Sequence, residues 1–123
     1  MNADEHLRQA EQNEELAEFL SIAPYPDWRC TALFYAALHY VEAYFASRTP
    51  RLRYSSHGER AEAVRLDDQI GVLYKPFDSL RDSSRYARYE GWKPSETQIQ
   101  TEIITKLFII KRHLRRFLPK IKA

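Results

Sequence analysis

The chain has 123 residues, the size of one domain, and it buries about two-thirds of its unfolded surface without needing a disulfide to fold. Its single cysteine, Cys30, forms no internal disulfide, and the acidic N-terminal residues show no signal-peptide pattern. The longest apolar run contains His39 and Glu42 and is short for a membrane span. We therefore expect one domain over residues 1–123 in the cytoplasm, with no membrane contact.

The net charge of +2 is distributed unevenly along the chain. Residues 1–20 carry six acids against one arginine, whereas residues 106–123 carry seven basic residues and no acid. Cations at the end of a helix complement its dipole, which accounts for the basic segment without a ligand. A second interpretation is that this end binds nucleic acid or another anionic partner.

Three glycines and the absence of Asn-Gly or Asp-Gly turns predict a chain that is helical throughout. Asn2 and Glu5 have the spacing of a capping box, which predicts a first helix that ends near Leu20. Asp27 is the predicted cap of a second helix, from Trp28 to Ala46. Because that helix is apolar on nearly every side, we expect it to form the core.

The second half of the chain contains two further predicted helices before the last one. Ser56, followed three residues later by Glu59, predicts the cap of a third helix from His57 to about Tyr74. Pro76 suits the first turn of a fourth helix, which ends near Gly91.

The last helix is predicted to run from Ser95, which with Gln98 forms another capping pattern, to Pro119. Apolar residues recur along it at alternating spacings of four and three: Ile99, Ile103, Leu107, Ile110, Leu114 and Phe117. Three more, Ile104, Phe108 and Ile109, widen the stripe beyond what one neighbouring helix needs. We expect an all-α, antiparallel bundle of about five helices, and the excess apolar surface predicts a homodimer.

Three segments together resemble a known family: "DWRCTALFYAALHYVEAYFASR", "SSHGER" and "LRDSSRYARYEGW". Between about Phe19 and Trp92 the chain is similar to the bacterial stand-alone branch of the HEPN family, named for nucleotide-binding members in higher eukaryotes and prokaryotes. The resemblance implies a dimerising helical bundle that acts on or binds RNA or nucleotides in a toxin, defence or regulatory setting. It also implies, for other members, a role that only binds nucleotides or scaffolds a partner, such as a nucleotidyltransferase-type protein.

Active HEPN enzymes carry an arginine followed a few residues later by a histidine, and Arg51 and His57 have that spacing. An imidazole exchanges a proton with a ribose 2′-OH, while a guanidinium holds the phosphate, so that no metal or other cofactor is needed. Arg60 lies close enough to assist, and Arg53 to hold phosphate. These residues predict a metal-independent endoribonuclease, whose two copies of the segment 51–60 would face each other across a dimer.

The same segment also fits an ordinary helix start, in which Ser56 is the cap and His57 points to solvent. In the family the catalytic pair usually lies near the start of a late helix, and the corresponding residues here contain Arg85 and Arg88 but no histidine. The rival hypothesis is therefore a non-catalytic module that binds or scaffolds a partner.

The other histidines have weaker signals. His39 is the alternative catalytic histidine, although its position on the core helix predicts a buried imidazole bonded to Glu42 or a tyrosine. His6 and His113 lie among charged terminal residues and are predicted to be solvated. The chain has no histidine pair at i, i+4 and no cysteine pair, so no zinc site is predicted.

The segment "SRYARY" alternates cationic and aromatic side chains. Arg85 and Arg88 with Tyr86 and Tyr89 have the composition of a surface that stacks bases and contacts phosphates. In the alternative interpretation the two tyrosines pack partly inward and Arg85 pairs with an acid on its own helix.

Overall fold

The computed structural model describes residues 1–48 and 54–122. Regular structure in these ranges is entirely helical, which confirms the predicted all-α class. The helices are α1 (Ala3–Phe19), α2 (Pro26–Ala46), α3 (His57–Leu66), α4 (Tyr74–Tyr89) and α5 (residues 96–114). Short 3₁₀ turns, Leu20–Ile22 and Gly71–Leu73, follow α1 and precede α4.

Helix α2 is the core of the bundle, as its composition predicts. Fifteen of its 21 residues are buried, and α1, α4 and α5 pack around it. The aromatic rings of Phe34 and Tyr40 are each 1% exposed, so truncating Phe34 to alanine costs about 3–5 kcal/mol. Across the described parts of the chain, no helix combines the length and the apolar character that crossing a bilayer requires.

The start of α2 differs from the prediction. Pro26 occupies the first helical position, where its missing N–H leaves no donor unpaired, and Tyr25 rather than Asp27 is the N-cap residue. Asp27 lies in the first turn, where its carbonyl accepts a hydrogen bond from Thr31 Oγ1 at 2.9 Å. Because the carboxylate of Asp27 lies in the first turn of α2, it complements the helix dipole and does not cap the helix.

The third helix is shorter than predicted, because Asp67 ends it. This residue is extended, and its Oδ1 accepts hydrogen bonds from the backbone N–H groups of Gln69 at 2.8 Å and Ile70 at 3.0 Å. Tyr44 of α2 donates to the same carboxylate at 2.9 Å. A side chain that competes for backbone donors thus stops α3 at Leu66, eight residues before the predicted end at Tyr74.

Of the three predicted capping patterns, those at the starts of α1 and α5 form complete capping boxes, whereas at α3 only the Ser56 side chain forms its bond. At α5, Ser95 Oγ accepts from the Gln98 N–H at 3.1 Å, and the Gln98 side chain accepts from the Ser95 N–H at 2.8 Å. Residues Ile99–Ile104 of this helix form a π-helical segment, in which Thr105 donates to the Gln100 carbonyl at 2.9 Å. Neither the capping pattern nor the apolar stripe indicates the π segment.

The apolar stripe of α5 packs against the bundle, except for its outer members. Its five buried residues are Ile99, Ile103, Leu107, Ile110 and Leu114. Phe108 is 53% exposed and Ile109 is 45% exposed. The predicted excess of apolar surface is therefore present on the outside of the bundle.

Candidate functional site

A cavity of about 540 Å³ lies where α2, α3 and α4 meet. Helix α4 contributes most of its lining, because residues spaced by three and four share one helix face. Its walls are formed by Tyr35, His57, Arg81, Asp82, Arg85, Arg88 and Tyr89, and we call it the arginine pocket.

The ring of His57 lies in this pocket, although it belongs to the first turn of α3. Its Nε2 lies 3.4 Å from Tyr35 Oη, and the ring packs edge-on against Phe34 with centroids 5.4 Å apart. The Ser56 cap also forms, with the Glu59 N–H donating to Ser56 Oγ at 3.0 Å. The helix-start interpretation is therefore right about the cap and wrong about a histidine that points to solvent.

The guanidinium of Arg60 faces one ring nitrogen of His57. Arg60 Nη1 lies 3.1 Å from His57 Nδ1, and because a guanidinium only donates hydrogen bonds, Nδ1 accepts. In the neutral ring the proton is then on Nε2. Burial lowers the pKa of His57, and the positive charges of Arg60, Arg88 and Arg81 lower it further.

Arg88 makes the most contacts of the three pocket arginines. Its Nη1 donates to Tyr35 Oη at 3.0 Å, and its Nε donates to the Ser84 carbonyl at 3.3 Å. The guanidinium also lies over the rings of Tyr89, at 5.1 Å, and Tyr35, at 5.7 Å. These contacts hold a charged donor at the wall of the cavity.

Of the other two pocket arginines, Arg85 is held more loosely than Arg81. Arg85 lies 3.9 Å from Asp82, too far for a hydrogen bond, and its side chain is 61% exposed. Arg81 forms an ion pair of 2.7 Å with Asp78 one turn earlier. The pocket therefore has one fixed guanidinium and one that is available to a ligand.

Two predicted binding residues, Tyr86 and Tyr89, differ in exposure. They are 48% and 74% exposed, so Tyr89 does not pack inward, whereas Tyr86 is half-buried and Arg85 pairs with Asp82 of its own helix at 3.9 Å, as the alternative predicts. Tyr86 does not line the pocket but lies beside it, under the guanidinium of Arg85 at 5.5 Å. Alternating arginine and tyrosine side chains thus cover the rim, as the "SRYARY" pattern predicts.

The remaining arginines of the predicted site are not in the pocket. Arg60 is only 8% exposed and forms an ion pair with Glu42 of α2, so it lies behind His57 rather than in contact with the cavity. Arg51 and Arg53 lie outside the described residues.

His39 is not part of this site, and its predicted partner is wrong. Its Nδ1 lies 3.0 Å from Nδ1 of His6 on α1, so the second ring is another histidine rather than Glu42 or a tyrosine. His6 is consequently not the solvated residue that its position predicts. Burial, followed by the neighbouring His6, lowers the pKa of His39 to about 4.

The prediction of a solvated His113 is also wrong. Its Nε2 donates to the carbonyl of Gln69 at 2.8 Å, and its ring packs beside Phe117 with centroids 5.8 Å apart. Near the end of α5, this histidine ties the helix to the loop that follows α3.

Sequence reasoning missed three residues of the pocket, Tyr35, Arg81 and Asp82. Arg81 has a signal in the sequence, since it precedes Arg85 by one helical turn. Tyr35 has none, because it lies on a helix whose neighbouring residues are all buried. In residues 1–48 and 54–122, no three histidine, cysteine or acidic side chains come close enough together to hold a metal ion.

Comparisons with protein-family models, curated proteins and solved structures found no significant match to this chain. Its function must therefore be argued from the geometry and charge of the arginine pocket.

Proposed function

We propose that this protein binds RNA through phosphate groups held in the arginine pocket. The observation that carries the proposal is that one cavity is lined by three guanidinium groups, a histidine and two tyrosines, against a single carboxylate, that of Asp82. A volume of about 540 Å³ lies within the ordinary range for small-ligand sites and accommodates one nucleotide of a strand.

The charges of the pocket favour an anionic ligand. Guanidinium groups recognise phosphate oxygens with paired hydrogen bonds, and contacts to phosphate supply most of the affinity of RNA-binding proteins. A larger cavity, of about 750 Å³, lies beside α3, but its charged residues are Arg48 and three acids, Glu59, Glu62 and Asp67. That cavity repels phosphate, which leaves the arginine pocket as the better site.

The exposed rings at the rim favour a single-stranded nucleic acid over a simple anion. Tyr89 is 74% exposed beside Arg88, and Tyr86 is 48% exposed beside Arg85. Unpaired bases stack on such rings, each stack contributing about 1–3 kcal/mol. The two tyrosines are three residues apart and therefore neighbours on the surface of α4.

The geometry of His57 supports binding more directly than it supports cleavage. With Nδ1 facing Arg60, the neutral ring carries an N–H donor at Nε2, which faces Tyr35 Oη at 3.4 Å at the cavity wall, and it has no free lone pair. A donor stabilises a phosphate oxygen, whereas a general base must accept a proton from the 2′-OH. Cleavage therefore requires the Arg60 contact to open.

The binding proposal is tested by fluorescence anisotropy with a labelled single-stranded RNA. We expect Arg85→Ala to weaken binding roughly tenfold and to reduce the salt dependence by about one phosphate contact. Arg65→Ala is the matched control, because Arg65 is an exposed arginine of α3 that forms an ion pair with Glu62 and does not line the arginine pocket. Equal losses in the two variants would mean that binding is non-specific. Competition with a free nucleotide and with single-stranded DNA then distinguishes the ligands.

Cleavage is tested separately by incubating the protein with mixed RNA, with and without a chelator. Products that form in both samples and disappear in His57→Ala would establish the metal-independent endoribonuclease. If the RNA stays intact while anisotropy shows binding, the protein is a non-catalytic binding module.

We also propose that the protein is a homodimer, because Phe108 and Ile109 leave an apolar face on α5. Light scattering at micromolar concentration is expected to give twice the chain mass, and Phe108→Glu is expected to give the monomer. A monomeric mass for the unaltered chain contradicts this proposal without affecting the pocket.

A further inference from the structure

A buried ion pair lies directly behind the arginine pocket. Glu42 of α2 and Arg60 of α3 are 7% and 8% exposed, and Arg60 Nε donates to Glu42 Oε1. Burying two charges costs desolvation that their attraction only partly offsets, so apolar residues of similar size hold two helices together as well. The gain in stability from this ion pair therefore does not explain its presence, whereas its other contacts indicate a function.

Each of the three guanidinium nitrogens of Arg60 donates a hydrogen bond. While Nε contacts Glu42, Nη2 donates to the Tyr54 carbonyl at 3.3 Å, and Nη1 donates to His57 Nδ1 at 3.1 Å. Because the first two contacts fix the plane and rotation of the group, the third donor has one direction. That direction is toward His57, one helical turn earlier on α3.

The ring of His57 is held from its other sides as well. Phe34 and Tyr35 pack edge-on against it, with centroids 5.4 Å and 5.8 Å away. Its Nε2 faces Tyr35 Oη at 3.4 Å, and that hydroxyl already accepts from Arg88 at 3.0 Å. A chain of contacts thus runs from Glu42 through His57 to the fixed cation of the pocket.

We propose that Glu42 and Arg60 are positioning residues, whose ion pair keeps the proton of His57 on Nε2, where a phosphate bound in the arginine pocket replaces the long contact with Tyr35 Oη. A guanidinium never accepts a hydrogen bond and is not deprotonated in proteins, so it stabilises only the form of His57 with a bare Nδ1. The role in ligand binding rests on the proposed function, whereas the control of the tautomer does not. The lowered pKa of His57 agrees with it, because the same contact disfavours a second ring proton.

The test is the ¹⁵N spectrum of the histidine ring nitrogens in the free protein at neutral pH. Chemical shifts of Nδ1 and Nε2 report which nitrogen is protonated, and His57 is assigned from its loss in His57→Gln. We expect the unaltered protein to show the proton on Nε2 alone. A proton on Nδ1, or a mixture of tautomers, would overturn the proposal.

The informative variant replaces both charges, as Glu42→Leu with Arg60→Met. It leaves no unpaired buried charge, so the fold is preserved while the donor to Nδ1 is lost. We expect His57 to become a mixture of tautomers and RNA affinity to fall roughly tenfold. Arg65→Met, on the exposed side of the same helix, is the matched control and is expected to change neither quantity.

Different results would contradict the proposal that the protein binds RNA and the proposal that the ion pair positions His57. If the unaltered protein binds no RNA, the proposed function is wrong, but the tautomer measurement still decides the role of the ion pair. If the folded double variant keeps His57 protonated on Nε2 alone, the ion pair does not position the ring, whatever the RNA affinity.

Discussion

His57 and His39 are both partly buried histidines whose pKa is lowered mainly by burial, yet they lie in different surroundings. His57 has a guanidinium on one nitrogen and opens with the other toward a cavity lined by arginines. His39 faces a second imidazole, that of His6, across the contact between α1 and α2. The comparison teaches that a shifted pKa identifies a site only where the neighbouring groups offer something to a ligand.

The largest expected effect is a loss of stability when the ion pair between Glu42 and Arg60, behind His57, is broken. Glu42→Ala leaves the Arg60 guanidinium buried without a counter-charge, and we expect a loss of about 3–5 kcal/mol in the free energy of unfolding. Glu62→Ala, which breaks the exposed pair with Arg65 on the same helix, is expected to change little. Urea denaturation measures both. Equal losses in the free energy of unfolding for the two variants would show that water reaches Arg60. The ion pair would then not distinguish the surroundings of His57 from those of His39.

The next effect separates the two histidines by ligand binding. His57→Asn places an acceptor opposite Arg60 but removes the donor at the cavity, so RNA affinity is expected to fall roughly tenfold. His57→Gln restores an N–H near the position of Nε2 and is expected to recover part of the affinity. His39→Asn is the control and is expected to bind RNA as the unaltered protein does. Anisotropy titrations that show equal losses at the two positions would refute the assignment of His57 to the pocket.

A smaller effect follows from the pH dependence of stability. The pKa of His39 is lowered from 6.5 to about 4, so between these values the unfolded chain binds more protons than the folded one. Stability is then complete above pH 6.5 and decreases as the pH falls toward 4. After allowance for partial exposure, we expect a loss of roughly 1–2 kcal/mol from this group.

The control for that titration is His39→Leu, which removes the titrating group from the contact with His6. Thermal unfolding followed between pH 7 and 4 is expected to show a flatter profile for this variant. An unchanged slope would assign the acid sensitivity to other groups, including His57, whose lowered pKa acts in the same direction.

The smallest signal is expected from the thiol of Cys30, which lies on the same helix as His39 and should react slowly in the folded protein. It is 1% exposed, and burial, with a contribution from Asp27, raises the pKa of its thiol to about 12. We expect slow labelling by a thiol reagent in the folded protein and fast labelling in urea. Fast labelling without denaturant would mean that α2 opens locally, and burial would then not explain the pKa of His39 either.

Local signals in the sequence predicted the elements that depend on residues four or fewer positions apart. The capping boxes of Asn2 and Ser95 form as predicted, since a cap is completed within one helical turn. The five stripe residues from Ile99 to Leu114 are buried as predicted, because helical periodicity does not depend on which partner covers them. The helix ends at Leu114 rather than at the predicted Pro119, and Phe117 beyond it is only partly buried. Where local signals compete, as at Pro26 beside Asp27, the sequence predicted the helix but not its first residue.

The arginine pocket was predictable only in part. Its α4 residues lie in one segment, so the "SRYARY" pattern indicates them together. The contacts that complete the site join residues far apart in the chain: Arg60 and Glu42 are separated by 18 positions, and Arg88 and Tyr35 by 53. His6 and His39, separated by 33 positions, meet for the same reason.

The sequence by itself thus determined an all-helical chain, its core helix and the basic, aromatic face of α4. Only the tertiary structure decided that His57 faces this surface with one nitrogen and Arg60 with the other. The physical reason is that capping and periodicity act within a helix, whereas the rotation and crossing of helices depend on the packing of all their side chains together.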